Sequence, residues 1–328
     1  MIRSNCEIRR YNIGKCITHP RKCDKKEGGN LGLKIEKVKK SYGDKIAVKN
    51  ISFEMSNPGV FGLLGTNGAG KTTIIRMILG IIKKDEGTVS WNGKEIKREN
   101  VNFGYLPEER GIYPKTKVYN QLMYFAKLKG MKKQAADEAI KYWLSRLEVE
   151  EYTNMAAEKL SKGNQQKIQF ITAVMHEPEL IVLDEPFSGL DPVNTELLKG
   201  VMLELIERGK YIIMSSHQMV TIEEFCSDLI ILDRGKSVLQ GNLSEIKNSY
   251  PSNSIEIVAK EDISSIIKEA ELIMKSSKDN DYVVRIQNEE QGFKLYNMLS
   301  KNNINVIKFE ILKPSLNDIF IEKVGEFK

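Results

Sequence analysis

A glycine-rich segment in the first third of the chain has the residues and spacing to bind phosphate. Residues 65–72 read Gly-Thr-Asn-Gly-Ala-Gly-Lys-Thr and fit the pattern G-x-x-x-x-G-K-[ST]. The glycines let backbone N–H groups turn inward around phosphate oxygens, and the N-terminus of a following helix favours the same anion. Lys71 is expected to reach the β- and γ-phosphates, and Thr72 to ligate Mg²⁺. The segment predicts nucleoside triphosphate binding, which many unrelated ATPases and GTPases share.

Two adjacent carboxylates follow an apolar run farther along the chain. Residues 179–186 read Glu-Leu-Ile-Val-Leu-Asp-Glu-Pro, a pattern typical of a buried parallel strand. Ligands of such sheets bind at the carboxyl ends of the strands. Asp184 is therefore expected to hold Mg²⁺, and Glu185 to polarise an attacking water. The alternative is a pair of surface acids at a strand end.

The elements around these residues predict the sheet that would position them. Residues 32–245 alternate short apolar runs with helical patterns, as α/β proteins do. Val60–Leu64 is predicted as the strand before the glycine segment, and Thr73–Ile82 as the helix after it. A polar stretch at residues 246–253 predicts a boundary.

A smaller unit follows that stretch and reads β-α-β-β-α-β, the split βαβ or ferredoxin-like arrangement. Its predicted elements are Ile255–Val258, Ile263–Ala270, Leu272–Lys275, Tyr282–Ile286, Asn288–Lys301 and Ile304–Ile311, with a closing helix at Pro314–Val324. Asn288 and Ser315 are expected to cap the two last helices.

Composition limits the classes of protein that fit. The chain has 328 residues, 41 % of them apolar and 29 % charged, which suits a folded protein of about two domains. Residues 1–30 contain eight basic and three acidic residues, so nearly all of the net charge of +6 lies there. The nearly neutral remainder argues against nucleic-acid binding. The sequence has no run of 18 apolar residues, so other subunits would have to cross a membrane.

Three of the four cysteines lie in the first 31 residues, which are predicted to be a basic, disordered extension. Cys6, Cys16, His19 and Cys23 leave a zinc site open as an alternative, and a mis-assigned start codon is another. The cysteine spacing does not resemble a disulfide framework, which indicates a reducing compartment.

The segment before the acidic pair carries a specific family resemblance. Residues 160–166 read Leu-Ser-Lys-Gly-Asn-Gln-Gln and resemble the ABC signature, whose common form is Leu-Ser-Gly-Gly-Gln. Lys162 and Asn164 replace the usual Gly and Gln. The resemblance implies that Ser161 and Gly163 contact the γ-phosphate of ATP held by the opposite subunit, at a helix N-terminus.

Other positions extend this resemblance over roughly residues 33–240. Tyr42 resembles the aromatic that stacks on adenine, with a core aromatic as the alternative. Ser188–Asp191 resembles the loop that communicates across the dimer, and His217 the histidine that orients the γ-phosphate. Glu108 stands where the family usually has Gln, and a carboxylate there could also contact Mg²⁺.

The resemblance implies an α/β P-loop NTPase fold of the ABC ATPase type, with a RecA-like core, an antiparallel β subdomain and a helical subdomain. A small α+β C-terminal domain would follow, so the predicted domains are residues 1–31, 32–245 and 254–328. The expected nucleotide-binding residues are Tyr42, Gly65, Thr66, Asn67, Gly68, Ala69, Gly70, Lys71, Thr72, Thr73, Glu108, Ser161 and Gly163, the metal ligands are Thr72, Asp184 and Glu108, and the catalytic residues are Glu185 and His217.

The full set of motifs is similar to bacterial ABC-2-type exporter ATPases, including those linked to sodium efflux and stress-related export. This similarity implies ATP and Mg²⁺ as cofactors, a homodimer or heterodimer of ATPase subunits, and transmembrane permease subunits as partners. The chain would then sit at the cytoplasmic face of the cell membrane. A soluble ABC-type ATPase of translation or repair is the alternative, and a non-hydrolysing regulatory subunit is a third hypothesis.

Overall fold

The computed structural model describes residues 32–97, 101–109 and 111–325, and the N-terminal extension with its zinc alternative lies outside these ranges. The strands are β1 (Leu33–Tyr42), β2 (Lys45–Met55), β3 (Gly59–Gly65), β4 (Glu86–Trp91), β5 (Lys94–Glu95), β6 (Phe103–Leu106), β7 (Leu180–Asp184), β8 (Tyr211–Ser216), β9 (Asp228–Asp233), β10 (Lys236–Asn242), β11 (Ser254–Ala259), β12 (Ile273–Lys278), β13 (Asp281–Arg285) and β14 (Val306–Leu312). The helices are α1 (Lys71–Ile78), α2 (Val118–Leu128), α3 (Lys133–Arg146), α4 (Lys162–Val174), α5 (Pro192–Glu207), α6 (Met219–Phe225), α7 (Leu243–Ser249), α8 (Ser264–Glu269), α9 (Glu289–Lys301) and α10 (Leu316–Gly325).

The central sheet has the strand order β10-β9-β3-β8-β7-β6. Its pairs from β9 to β6 are parallel, and β10 is antiparallel to β9. Strand β7 is buried on both faces, because its side chains alternate between two apolar clusters. The predicted parallel core is therefore confirmed.

A second sheet covers one face of this core. Its order is β2-β1-β4-β5, and its paired strands are antiparallel. The buried side chains of β1, β2 and β4 pack with those of α1 and of β3 in one cluster. The other face of the central sheet packs against helices α4, α5 and α6. Helices α2 and α3 extend that cluster, so the part of the chain between β6 and β7 is mainly helical, as the family resemblance implied.

Helix α1 differs from its predicted bounds at both ends. It begins at Lys71, directly after Gly70, whose φ of 109° belongs to the left-handed region. It ends at Ile78, because Gly80 takes a φ of 64°, the left-handed conformation with which glycine commonly terminates a helix. The prediction that the helix continues to Ile82 was wrong.

The third sheet contains the strands after residue 253 in the order β12-β13-β11-β14, with antiparallel pairs. Together with α8 and α9 it forms the predicted split βαβ arrangement around its own apolar cluster. The placement of the domain boundaries in this region stays a prediction.

Local details of this unit confirm the caps and correct one turn. Asn288 Oδ1 accepts a hydrogen bond from Gln291 N at 3.1 Å, and Ser315 Oγ accepts one from Asp318 N at 3.1 Å. The β12–β13 turn is shorter than predicted, since strand β13 already begins at Asp281. Asp279 and Asn280 alone form the turn, with φ values of 47° and 64° that suit a two-residue hairpin.

Helix α10 leaves the third sheet and packs on α6. Leu316 and Ile319 are fully buried in the same apolar cluster as the helices of the central sheet. The N–H of Leu316 donates to the Glu223 carboxylate of α6, and Lys247 pairs with that carboxylate at 2.7 Å. Across the described ranges, none of the helices combines the length and apolar character that a bilayer-spanning segment requires.

Candidate active site

The carboxyl ends of four parallel strands bring the predicted site residues to one edge of the central sheet. Strand β3 leads into the glycine segment, and β7 ends at Asp184. Strand β8 leads to His217, and β6 to the loop that carries Glu108. This edge is where α/β sheets bind ligands.

The last glycine of the phosphate-binding loop has a backbone conformation that only glycine suits. At Gly70, an added Cβ atom would lie 2.6 Å from the carbonyl oxygen of Ala47, and the φ of 109° disfavours any other residue. Lys71 is 8 % exposed, and its ammonium donates to the Gly65 carbonyl at 2.7 Å. These contacts hold the cation inside the loop, where a phosphate group would meet it.

Asp184 lies in a cluster of hard oxygen atoms. It is 1 % exposed, and its Oδ2 accepts a hydrogen bond from Thr72 Oγ1 at 3.4 Å. Its Oδ1 accepts a hydrogen bond from the Ser215 hydroxyl. A carboxylate and a hydroxyl placed side by side next to a phosphate-binding loop fit the oxygen ligands that Mg²⁺ prefers.

Glu185 and His217 form a pair beside this cluster. His217 Nδ1 lies 2.8 Å from Glu185 Oε1. Glu185 is 7 % exposed and has a φ of 52°, a left-handed conformation that is uncommon for a residue with a side chain. Its N–H is held by the Ser215 carbonyl at 3.2 Å. Strain of this kind concentrates at functional sites, and here it directs the carboxylate to the cleft.

A cleft of about 650 Å³ joins most of the predicted residues, a size that suits a small-molecule ligand. Its lining includes Tyr42, Glu108, Glu185 and residues 66–73. Tyr42 is half exposed, which excludes the alternative of a core aromatic. Asp184 and His217 join the cleft through their bonds to Thr72 and Glu185.

Arg234, which was not among the residues predicted from the sequence, also lines the cleft. Arg234 and Gly235 connect β9 to β10 with φ values of 46° and 78°, the geometry of a type I′ turn. Asn or Gly is favoured at the first position of this turn, so an arginine there is an unusual choice. Gly235 N donates to the carbonyl of Ala69 at 3.0 Å, which places the turn against the phosphate-binding loop. In the sequence, the Arg-Gly pair between two apolar runs is the feature that could have indicated this turn.

The signature-like segment lies outside this cleft. Ser161 is the N-cap of α4, and its Oγ accepts a hydrogen bond from Asn164 N at 3.2 Å. Neither Ser161 nor Gly163 lines the cavity of its own chain. Gln165, which follows Asn164, donates to the carbonyls of Ala157 and Leu160 at 3.1 and 3.0 Å. That amide supports the chain before the helix.

A buried histidine at the amino end of β6 predicts a pH effect on stability. His176 Nε2 donates to the carbonyl of Phe103 at 3.1 Å, and burial lowers the pKa of His176 to about 4. Between that value and the ordinary value of 6.5, the unfolded chain binds a proton that the folded chain excludes, so stability falls as pH falls. We expect this residue to account for a loss of roughly 2 kcal/mol between pH 7 and pH 5.

Denaturant unfolding at several pH values measures this effect. His176→Gln keeps a donor for the Phe103 carbonyl but has no group that titrates in this range, so its unfolding free energy should depend less steeply on pH. Equal pH dependence in the two proteins would show that His176 is not the group responsible.

Two family models match this chain. The model described as "ABC transporter" matches residues 48–188, and the one described as "ATP-binding protein DrrA1-3-like, C-terminal domain" matches residues 241–324. The uncharacterized ABC transporter ATP-binding protein YhaQ of Bacillus subtilis (strain 168) is 47 % identical over 294 residues, which cover 89 % of this chain and 98 % of that protein. Nod factor export ATP-binding protein I of Paraburkholderia xenovorans (strain LB400) is 32 % identical, over 64 % of this chain and 70 % of the relative.

A solved structure of the ATP-binding subunit of an ABC transporter has a TM-score of 0.62 and 28 % identity, and the match covers 67 % of this chain and 93 % of that structure. The fold and the strand-end site thus define an ATP-binding P-loop protein. The chain belongs to the ABC transporter ATP-binding family, whose members hydrolyse ATP to power transport. Family membership implies transmembrane partner components and does not favour the alternative of an ATPase unconnected with transport.

Proposed function

We propose that this chain hydrolyses ATP to drive export of a substrate through separate transmembrane subunits. The observation that carries this proposal is the meeting of the phosphate-binding loop, Asp184 and the Glu185–His217 pair at one sheet edge. The direction of transport is supported by the relative named for Nod factor export.

The nucleotide would be held by the loop and by Tyr42. The half-exposed Tyr42 ring offers a face on which adenine can stack. Backbone N–H groups of the loop and the Lys71 ammonium would bind the phosphates. Thr72, Asp184 and Glu108 would hold Mg²⁺, which neutralises charge on the β- and γ-phosphates when bound.

Glu185 would act as the general base. Its carboxylate can accept the proton of a water that attacks the γ-phosphate, and its buried position keeps it at one place in the cleft. His217 would fix the carboxylate through the 2.8 Å contact and orient the γ-phosphate with its other ring nitrogen.

A complete site would need a second chain. Ser161 and Gly163 lie at the N-terminus of α4 and outside the cleft of their own chain, so they are available to the nucleotide of another copy or of a related subunit. ATP would then be enclosed between two ATPase subunits, and hydrolysis would let them separate.

The contact with the permease would lie on the helical part, at the cytoplasmic face of the membrane. The segment 113–120 follows the Glu108 loop, and Tyr113 is half exposed. Its ring stacks on Phe125 at 5.9 Å between centroids and meets the exposed Tyr124 edge-on. Exposed aromatic clusters of this kind are common in protein interfaces.

Co-purification of this chain with a multi-span membrane protein from solubilised membranes tests the proposal. We expect the two proteins to purify together and to show ATP hydrolysis. Tyr113→Ala should weaken the association by about tenfold and leave the hydrolysis of the isolated chain unchanged, as loss of an interface aromatic commonly does. Phe293→Ala is the matched control, since Phe293 is an exposed aromatic on α9. Failure of the chain to associate with any membrane protein would contradict the transport role.

A further inference from the structure

Helix α4 holds the Glu108 loop through one buried side chain, Gln169. The Gln169 amide nitrogen donates to the carbonyls of Pro107 and Glu109, at 3.0 and 3.1 Å. These two residues flank Glu108, and Gln169 is 2 % exposed. The backbone on both sides of the Glu108 carboxylate is therefore fixed to a single amide group.

The orientation of this amide leaves its oxygen without a partner. Both groups that face it are carbonyl oxygens, so only the NH₂ end can point toward them. Gln169 Oε1 consequently lies buried with no hydrogen-bond partner among the described residues. An unsatisfied buried acceptor costs about 1–3 kcal/mol, and an apolar side chain at this position would avoid that cost. Packing alone does not explain a glutamine here.

The same helix also contacts the loop after the other carboxylate. Gln166, one turn before Gln169, donates to the carbonyl of Pro186 at 3.1 Å. Pro186 directly follows Glu185, and α4 begins next to Ser161. Because a helix moves as a rigid rod over such a distance, a displacement of its N-terminus reaches the backbone beside both carboxylates.

We propose that Gln169 is a positioning residue that holds Glu108 at the nucleotide cleft and links it to the signature-like segment. The inference rests on the proposed function, in which Glu108 contributes to the Mg²⁺–ATP site. Engagement of Ser161 by the nucleotide of a second chain would shift α4, and the two bonds of Gln169 would carry that shift to Glu108.

The test measures how much Mg²⁺ strengthens ATP binding by the full-length chain. The affinity of the protein for a fluorescent ATP analogue is measured once with Mg²⁺ and once with EDTA. All variants carry Glu185→Gln, which slows hydrolysis during the measurement. Gln169→Met removes both hydrogen bonds at similar volume. We expect the Mg²⁺-dependent gain in affinity to fall by about tenfold, as is typical when a residue that supports a metal ligand is replaced. Binding in EDTA should stay unchanged.

Gln121→Met is the matched control. Gln121 is 1 % exposed, its amide nitrogen donates to the Thr116 carbonyl at 3.2 Å, and its oxygen accepts from Tyr113 N at 3.2 Å. The variant loses two main-chain bonds of similar quality away from Glu108, so it should keep the wild-type response to Mg²⁺. If Gln169→Met does not fold, Gln169→Asn serves instead, because its amide is one methylene too short to reach both carbonyls.

A double-variant cycle shows whether Gln169 acts through Glu108. In a Glu108→Ala background, which has no oxygen ligand at this position, Gln169→Met should cause little further loss of the Mg²⁺ effect. A wild-type response of Gln169→Met, or losses that add in the double variant, would overturn the inference while leaving the proposed function intact. If Mg²⁺ does not strengthen ATP binding in the parent protein, or if Glu108→Ala keeps the full effect, the proposed metal role fails and the inference fails with it.

Discussion

Replacing Glu185 by glutamine is expected to lower kcat for ATP hydrolysis by about a hundredfold or more, since a general base typically contributes that much. The amide has nearly the same shape as the carboxylate but cannot accept a proton from water. Its oxygen can still accept the 2.8 Å contact from His217, so the site should keep its geometry. Affinity for ATP should therefore stay close to that of the wild type, which separates loss of chemistry from loss of binding.

Steady-state phosphate release and equilibrium ATP binding measure these two quantities. Glu179→Gln is a suitable control, because Glu179 is an exposed residue just before the opposite end of β7. That variant should hydrolyse ATP at the wild-type rate. Turnover of Glu185→Gln within about tenfold of wild type would remove Glu185 from the role of base.

Gly163→Asp should also abolish most hydrolysis, but through the second chain. Gly163 is the second residue of α4, and a Cβ atom there would meet nothing closer than Leu190 Cδ2 at 3.5 Å. An acidic residue near a helix N-terminus stabilises the helix by about 0.3–1 kcal/mol, so the variant should fold normally. Its charge would repel the γ-phosphate that the segment is proposed to contact. Loss of one group that stabilises charge in the transition state typically lowers kcat by about a hundredfold, so we expect a fall of that size here.

Mixing two inactive variants tests whether the segment acts on the other chain. In a mixed dimer of Gly163→Asp and Lys71→Ala, one composite site has an intact loop and an intact signature-like segment. We expect measurable hydrolysis to return on mixing. The control pair is Lys71→Ala with Glu185→Gln, because both changes damage the site on the same chain as the loop. No recovery with the first pair would indicate that Gly163 serves its own chain's nucleotide or that the chain does not form such dimers.

The parts of the fold that the sequence predicts well depend on residues close together in the chain. The phosphate-binding loop lies directly between a buried strand and a helix. The local pattern of apolar residues and glycines is therefore sufficient to predict it. The caps at Asn288 and Ser315 are similar cases, since each acts on the first turn of its own helix. The end of α1 was predicted wrongly because apolar residues continue past Gly80. The helix ends there because Gly80 takes a left-handed conformation.

The contacts that prediction missed connect distant parts of the chain. Gln169 meets Pro107 across 62 residues, and its helical pattern alone marks it only as a polar residue on α4. Arg234 reaches the cleft because β9 pairs with β3, a neighbour that local sequence does not specify. His176 faces a carbonyl of β6 for the same reason. Residue type indicated no role for these three side chains, because their roles depend on the strand order of the central sheet.

The docking of α10 on α6 bears on how shortened forms of this protein would behave. A chain that ends before residue 316 would present to water the surface that Leu316 and Ile319 cover, and each of those side chains contributes roughly 2 kcal/mol by its burial. The bared surface belongs to the helix that follows His217. A truncated protein should therefore show poor solubility, self-association and a disturbed loop around His217 at the same time. Loss of activity on truncation would not by itself reveal a regulatory role for the C-terminal region.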